Sequence, residues 1–124
     1  MIGIDIVSVA RLGRALDRSP ALRRRAFAED ELATAATRGA HAADFLAGRF
    51  AAKEATLKAL GAGIGDGVAL ADVVVRTAPD GAPALELRGT AAQAAHGRGL
   101  AAGHVSISHD AGVAVAVVVL TPGA

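Results

Sequence analysis

Residues 44–61 read DFLAGRFAAKEATLKALG and carry the strongest secondary-structure signal in this 124-residue chain. At about 100° per residue, their large apolar side chains fall on a single stripe of a helix. The stripe consists of Leu46, Phe50, Leu57 and Leu60. Gly61 follows in the position of a C-terminal cap, so the pattern predicts a helix from Asp44 to Leu60.

Two charged side chains interrupt the apolar stripe of this helix. Lys53 projects between its large apolar residues, and Glu54 projects beside Phe50. Lys58 lies one turn beyond Glu54, and an ordinary ion pair on a solvated face accounts for that spacing. Such a pair leaves Lys53 and the apolar neighbourhood of Glu54 unexplained. A site at the buried edge of the helix would explain both.

A further carboxylate lies in an apolar setting at the start of the chain. Asp5 falls within Ile2 to Val7, where β-branched residues predict a strand. An unpaired carboxylate is costly to bury there, so Asp5 is either a hydrogen-bonded structural residue or part of a cation site. In a cation site, Asp5 and Glu54 would supply oxygen ligands for magnesium, and Lys58 would supply a positive charge. Such a set of side chains suits phosphoryl transfer.

The remaining segments predict short helices and antiparallel hairpins. Helices are expected over Val9–Leu16, from Ser19-Pro20 onward, over Ala28–Thr37 and over Gly89–Gly97. Strands are expected over Val68–Thr77, Ala84–Arg88, His104–His109 and Val113–Leu120. This order predicts an α+β fold with a mainly antiparallel sheet packed with helices, in one domain that spans residues 1–124.

The composition argues against several classes of protein. Thirteen basic and twelve acidic residues give a formal charge of +1, so the overall charge of the chain does not favour a nucleic-acid partner. The chain has no cysteine, which excludes disulfides and thiol chemistry. The apolar run Val113 to Leu120 is far shorter than the ~20 residues that cross a bilayer, and the start does not read as a signal peptide. We therefore expect a cytoplasmic protein without a membrane partner.

Three other features leave alternatives open or close them. The glycine-rich loop from Gly61 to Gly67 follows the end of a helix, whereas a Walker-type phosphate-binding loop precedes one, so a Walker-type site is excluded. The loop is either a flexible connector or a segment whose backbone closely approaches a flat ligand. Ser108 and His109 point to opposite faces of a strand and lack a nucleophile elbow, which excludes a serine hydrolase. The other histidines lack zinc-ligand spacing. Arginines crowd the first fifth of the chain, either as a solvated face or as a docking surface for an acidic helix.

Three blocks of this sequence resemble the holo-(acyl carrier protein) synthase family, the small single-domain 4′-phosphopantetheinyl transferases. They are GIDIV at residues 3–7, FLAGRFAAKEA at residues 45–55 with KALG at 58–61, and VSISH at residues 105–109. The resemblance runs nearly from end to end. It implies a 4′-phosphopantetheinyl transferase-like fold and a homotrimer whose active sites are shared between adjacent subunits.

The resemblance also implies a reaction. Family members transfer the 4′-phosphopantetheine group of coenzyme A to a serine of an apo acyl carrier protein. The serine attacks the β-phosphate, and 3′,5′-ADP leaves. By matching positions, Asp5 and Glu54 would bind Mg²⁺, Lys58 would assist the leaving group, and Glu54 would be the candidate base for the serine proton.

Other matching positions imply contacts with the two substrates. The residues expected to bind coenzyme A are Arg49 and His109 at its phosphates, and Gly63, Ile64 and Gly65 beside its adenine. Those expected to dock the carrier protein are Arg11 and, more weakly matched, Arg14.

Two alternatives come from other functional classes. One is a non-catalytic subunit that only docks carrier proteins, although the retention of Asp5, Glu54 and Lys58 argues against it. The other is a magnesium-dependent hydrolase of nucleotide diphosphates, which would use water as the acceptor and leave the arginine-rich first helix without a role.

Overall fold

Five strands and five helices make up the chain in a computed structural model, which describes residues 1–62 and 66–123 apart from the side chain of Ala102. The strands are β1 (Ile2–Ser8), β2 (Val73–Thr77), β3 (Pro83–Leu87), β4 (Leu100–Asp110) and β5 (Val113–Pro122). The helices are α1 (Val9–Arg18), α2 (Pro20–Ala26), α3 (Glu29–Ala36), α4 (Ala42–Leu60) and α5 (Gly89–Gly97). The predicted α+β class with antiparallel sheets is confirmed.

Helix α4 packs across one face of an antiparallel sheet with the strand order β1-β5-β4. Strand β1 reaches the helix so closely at Gly3 that an added Cβ would lie 1.8 Å from the carbonyl oxygen of Ala55. Only a glycine allows this contact between the two backbones. Because side chains alternate along a strand, Asp5 lies on the same face as Gly3 and is directed towards the helix.

The predicted ends of the helices follow the expected side-chain chemistry. The Ser8 hydroxyl accepts the amide N–H of Arg11 at 3.2 Å and caps α1, and Ser19 caps α2 in the same way. Gly61 ends α4 with a φ of 69°. The turn between β4 and β5 is tied to the start of α1, where the Val9 amide donates to the Gly112 carbonyl at 3.0 Å.

A buried ion pair joins α3, α4 and the second sheet, which consists of β2 and β3. The Nζ atom of Lys53 lies 2.7 Å from Oε1 of Glu31, and both side chains are almost completely buried. Lys53 also donates to the carbonyls of Leu70 and Val73, and the other carboxylate oxygen of Glu31 accepts the amide of Val75. The prediction that one site explains both Lys53 and Glu54 is therefore wrong for Lys53, which is structural.

Two strand boundaries also differ from the prediction. The strand expected from Val68 begins at Val73, because Leu70–Asp72 forms a short 3₁₀ turn. The carboxylate of Asp72 accepts the amide and hydroxyl of Thr90 at 2.9 Å and 2.6 Å, so this turn caps α5 and does not extend the strand. Strand β4 begins at Leu100, four residues before the predicted start at His104.

No helix within the described residues combines the length and the apolar character that a bilayer span requires.

Candidate active site

The contact between β1 and α4 brings Asp5 and Lys58 together. The Nζ atom of Lys58 lies 3.1 Å from Oδ1 of Asp5 and donates to the Ile4 carbonyl at 3.0 Å. The side chain of Asp5 is 18% exposed, whereas that of Lys58 is 57% exposed. The ion pair of Lys58 is therefore made with a distant strand and not with Glu54 one turn away on its own helix.

Glu54 completes a pair of carboxylates beside this contact. Burial raises the pKa of Glu54, the negative charge of Asp5 raises it further, and the ammonium group of Lys58 opposes both effects. Both carboxylates line one open cavity of about 400 Å³. Two partly buried carboxylates that repel each other are stabilised by a shared cation.

This donor set fits a hard divalent cation. Across residues 1–62 and 66–123, the candidate ligands His, Cys, Asp and Glu form no group of three. A cation held by Asp5 and Glu54 would thus take its other ligands from water or from a bound phosphate. Magnesium is commonly bound in this way, through one or two carboxylates together with substrate phosphates.

The cavity continues from the two carboxylates along helix α1. Its apolar wall contains Leu12, Ala15, Leu22 and Phe50. Arg11 also lines the cavity, so a guanidinium group and an apolar surface lie side by side next to the carboxylates. Arg14, which is exposed on the same helix, is not among the residues that line the cavity.

Arg49 occupies a different surface of α4. Its Nη2 atom donates to the hydroxyl of Thr77 at 3.0 Å, and its guanidinium carbon lies 4.2 Å from the centroid of the Phe45 ring. The residue is only 8% exposed. Burial lowers the pKa of Arg49, and the nearby charge of Arg38 lowers it further.

His109 lies near the start of α4. Its Nε2 atom is 2.8 Å from the carbonyl oxygen of Asp44. Because a carbonyl can only accept, Nε2 carries the proton in this contact. Asp44 precedes Glu54 by ten residues, so His109 lies roughly 15 Å from Glu54 along the helix axis.

The structure therefore brings together only part of the predicted site within one chain. Asp5, Glu54 and Arg11 line one cavity, and Lys58 forms an ion pair with Asp5. Arg49 does not join them, because five residues of helix place it about 140° around α4 from Glu54. His109 is also remote. The predicted adenine-binding residues Gly63, Ile64 and Gly65 lie outside the described residues.

The sequence prediction missed two residues that contact side chains of helix α4 away from this cavity. Glu31 is the buried partner of Lys53, and Arg38 lies 4.9 Å from the ring centroid of Phe45. Glu31 had a local signal, since an acid at the third position of a helix often accepts an amide before the helix, as it does here from Ala28. Arg38 had no comparable signal.

Known proteins match the chain over almost its whole length. A family model described as the 4′-phosphopantetheinyl transferase superfamily matches residues 1–118. The holo-[acyl-carrier-protein] synthase of Beutenbergia cavernae is 48% identical over 118 residues, which cover 95% of this chain and 94% of that protein.

Solved structures give the same result for the fold. The crystal structure of Helicobacter pylori holo-[acyl-carrier-protein] synthase in complex with coenzyme A matches 98% of this chain and 100% of that chain, with 35% identity and a TM-score of 0.82. A holo-(acyl-carrier-protein) synthase from Bacillus anthracis in complex with CoA (3′,5′-ADP) matches 98% and 96%, with 38% identity and a TM-score of 0.80. The chain therefore belongs to the 4′-phosphopantetheinyl transferase superfamily and, within it, to the holo-[acyl-carrier-protein] synthases.

Proposed function

We propose that this chain performs its family's reaction with Asp5 and Glu54 as the ligands of a magnesium ion. The reaction transfers the 4′-phosphopantetheine group of coenzyme A to a serine of an apo acyl carrier protein. The observation that carries the metal assignment is that two carboxylates, one from strand β1 and one from helix α4, line a single cavity, while Lys58 forms an ion pair with the first of them. A magnesium ion bound there would neutralise charge on the coenzyme's diphosphate.

The bond changes assign a role to each of these side chains. The serine oxygen bonds to the β-phosphate, the bond between the two phosphates breaks, and 3′,5′-ADP leaves. Glu54 would accept the serine proton, since its carboxylate lines the cavity in which the serine would react. The positive charge of Lys58 would stabilise the oxygen of the leaving group.

The carrier protein would dock on helix α1. Arg11 lines the cavity beside the carboxylates, and Arg14 is exposed one turn further along the helix. An arginine beside an apolar wall, with a second arginine exposed on the same helix, suits an amphipathic acidic helix, since charge favours the encounter and apolar contacts stabilise the complex. This arrangement would place the acceptor serine close to Glu54.

A homotrimer with shared active sites would bring together predicted site residues that lie apart within one chain. The outer face of β1 exposes Ile2, Ile4 and Ile6 at 69%, 58% and 64%, and Val119 of the neighbouring strand is also exposed. A continuous apolar surface of this kind commonly marks a protein interface. In such an assembly, Arg49 and His109 of one subunit would complete the coenzyme site of its neighbour, together with Gly63, Ile64 and Gly65.

We further propose that residues 1–124 act as a single transferase domain in the cytoplasm, where coenzyme A and acyl carrier proteins are used. The formal charge of +1 gives no support for a nucleic-acid partner.

The decisive experiment mixes the protein with coenzyme A, Mg²⁺ and an apo acyl carrier protein, and follows the mass of the carrier. A gain equal to one phosphopantetheine group supports transfer. Cleavage of coenzyme A without labelling would indicate the hydrolase, and neither product would indicate a docking subunit.

Matched variants test the metal ligands. Asp5→Ala and Glu54→Ala should abolish transfer while leaving the circular dichroism spectrum unchanged. Glu29→Gln, which alters an exposed acid at the start of α3, should retain full turnover. Transfer that persists in either alanine variant would exclude the metal assignment.

A further inference from the structure

Lys58 places a positive charge directly at one of the two proposed metal ligands. Its Nζ atom lies 3.1 Å from Oδ1 of Asp5 and donates to the Ile4 carbonyl at 3.0 Å. An ammonium group has three N–H donors, so strand β1 uses two of them. The carboxylate of Asp5, which is only 18% exposed, is therefore already in contact with a cation.

The charges around the cavity do not match those of a divalent ion while Lys58 stays in this contact. Asp5 and Glu54 contribute two negative charges, and the ammonium group of Lys58 cancels one of them. Within residues 1–62 and 66–123, no group of three acids, histidines or cysteines forms that would add a third ligand. A divalent ion at Asp5 would therefore meet a repelling charge on the same carboxylate.

Lys58 can leave this contact, in contrast to the other lysine of the chain. Lys53 is fully buried, and its Nζ atom lies 2.7 Å from Glu31. The side chain of Lys58 is 57% exposed, and its charge lies at the end of a flexible four-carbon stem. Exposed ion pairs are weak, so a nearby anion of higher charge can take over the ammonium group.

We propose that Lys58 is an internal competitor of the metal, which lowers the affinity of Asp5 and Glu54 for a free divalent ion until the coenzyme binds. The inference rests on the proposed function. The diphosphate of coenzyme A supplies two negative charges, which accept the ammonium group of Lys58 and leave the carboxylate of Asp5 to the metal. Metal and coenzyme then bind cooperatively, and this coupling is reciprocal.

The exchange gives Lys58 two positions in one reaction cycle. At Asp5, its ammonium group opposes the entry of a divalent ion without substrate. At the diphosphate, the same group stabilises the charge of the leaving oxygen. A variant without this charge should therefore bind the metal more tightly in the absence of coenzyme.

Calorimetric titration with Mg²⁺ alone, without coenzyme or carrier, tests the competition. Lys58→Met removes the charge but keeps an unbranched stem, and it should bind Mg²⁺ at least about tenfold more tightly than the unmodified protein. Lys58→Arg keeps the charge and should bind Mg²⁺ as weakly as the unmodified protein. Adding Asp5→Asn to Lys58→Met should abolish the tighter binding, because the ion then lacks this carboxylate.

Arg76→Gln is the matched control for the loss of an exposed cation. The side chain of Arg76 is 50% exposed and lies 3.4 Å from the carboxylate of Asp30, so it resembles Lys58 in exposure and in having an acidic partner. Arg76 is not among the described residues that line the cavity of Asp5 and Glu54. Its replacement should leave the Mg²⁺ affinity unchanged.

Repeating the titrations with saturating coenzyme A separates this inference from the proposed function. The coenzyme should raise the Mg²⁺ affinity more in the unmodified protein than in Lys58→Met, after subtraction of the binding of Mg²⁺ to coenzyme A in solution. These titrations need no carrier, so a failure to label a carrier leaves their result standing. Equal Mg²⁺ affinities of the unmodified protein and Lys58→Met, binding to neither, or an equal gain in Arg76→Gln would overturn the competition.

Discussion

Replacing Glu31 by glutamine leaves the ammonium group of Lys53 buried without a counter-charge. Lys53 is fully buried, and its Nζ atom lies 2.7 Å from Oε1 of Glu31. The carbonyls of Leu70 and Val73 remain as acceptors, but they carry no net charge. Removing one partner of a buried pair costs about 3–5 kcal/mol, a large share of the total stability of about 5–15 kcal/mol for a domain.

Urea denaturation at pH 7 measures this loss directly. Two variants serve as controls. Glu29→Gln changes an exposed acid on the same helix and should cost less than about 0.5 kcal/mol. Lys53→Met should cost less than Glu31→Gln, because the carboxylate of Glu31 keeps the amides of Ala28 and Val75 as donors.

The pH dependence provides a second signature of the same pair. Burial lowers the pKa of Lys53 from its ordinary value of 10.5, and Glu31 opposes the shift, so Glu31→Gln should lower it further. Between the lowered pKa and 10.5 the unfolded chain binds more protons than the folded one, and stability therefore rises with pH. The deficit of Glu31→Gln should shrink from pH 7 to pH 10. A loss below about 1 kcal/mol at pH 7, or a deficit that grows with pH, would refute the reasoning.

Three further substitutions test other parts of the structure. Gly3→Ala should destabilise the protein by about 3 kcal/mol or more in urea denaturation, because the new Cβ would lie 1.8 Å from the Ala55 carbonyl oxygen; an unchanged midpoint would contradict that contact. Ala111 has a φ of 51°, so Ala111→Asn should raise stability by about 0.5–1 kcal/mol, and a lower melting temperature would count against strain at this turn. Arg11→Glu should raise the KM for the carrier protein at least tenfold with little change in that for coenzyme A, whereas equal changes would argue against docking at this residue.

Local patterns predicted the parts of the fold that depend on neighbouring residues. The apolar stripe and the closing glycine identified α4, and Ser8 and Ser19 are caps of helices that the sequence also indicated. Asp5 and Glu54 stand out in the sequence because each places a charge in an apolar segment, and their role as metal ligands stays a prediction. The same argument singled out Lys53 and assigned it wrongly.

The errors come from contacts between distant segments. Glu31 and Lys53 are 22 positions apart, and nothing in either segment specifies that the two side chains meet. The turn at Leu70–Asp72 forms because Asp72 binds Thr90, which lies 18 residues further along. Arg38 is likewise recognisable only once Phe45 and Arg49 have been placed beside it in three dimensions.

The contact between Gly3 and Ala55 has a consequence for how the chain can vary. Main-chain atoms alone set the gap between β1 and α4 at this point, and they have no rotamers to exchange. Substitutions that repack the alanine-rich interior should therefore leave the distance between Asp5 and Glu54 unchanged. Sequences can drift widely at interior positions while the two acidic groups keep their separation, provided that residue 3 never acquires a side chain.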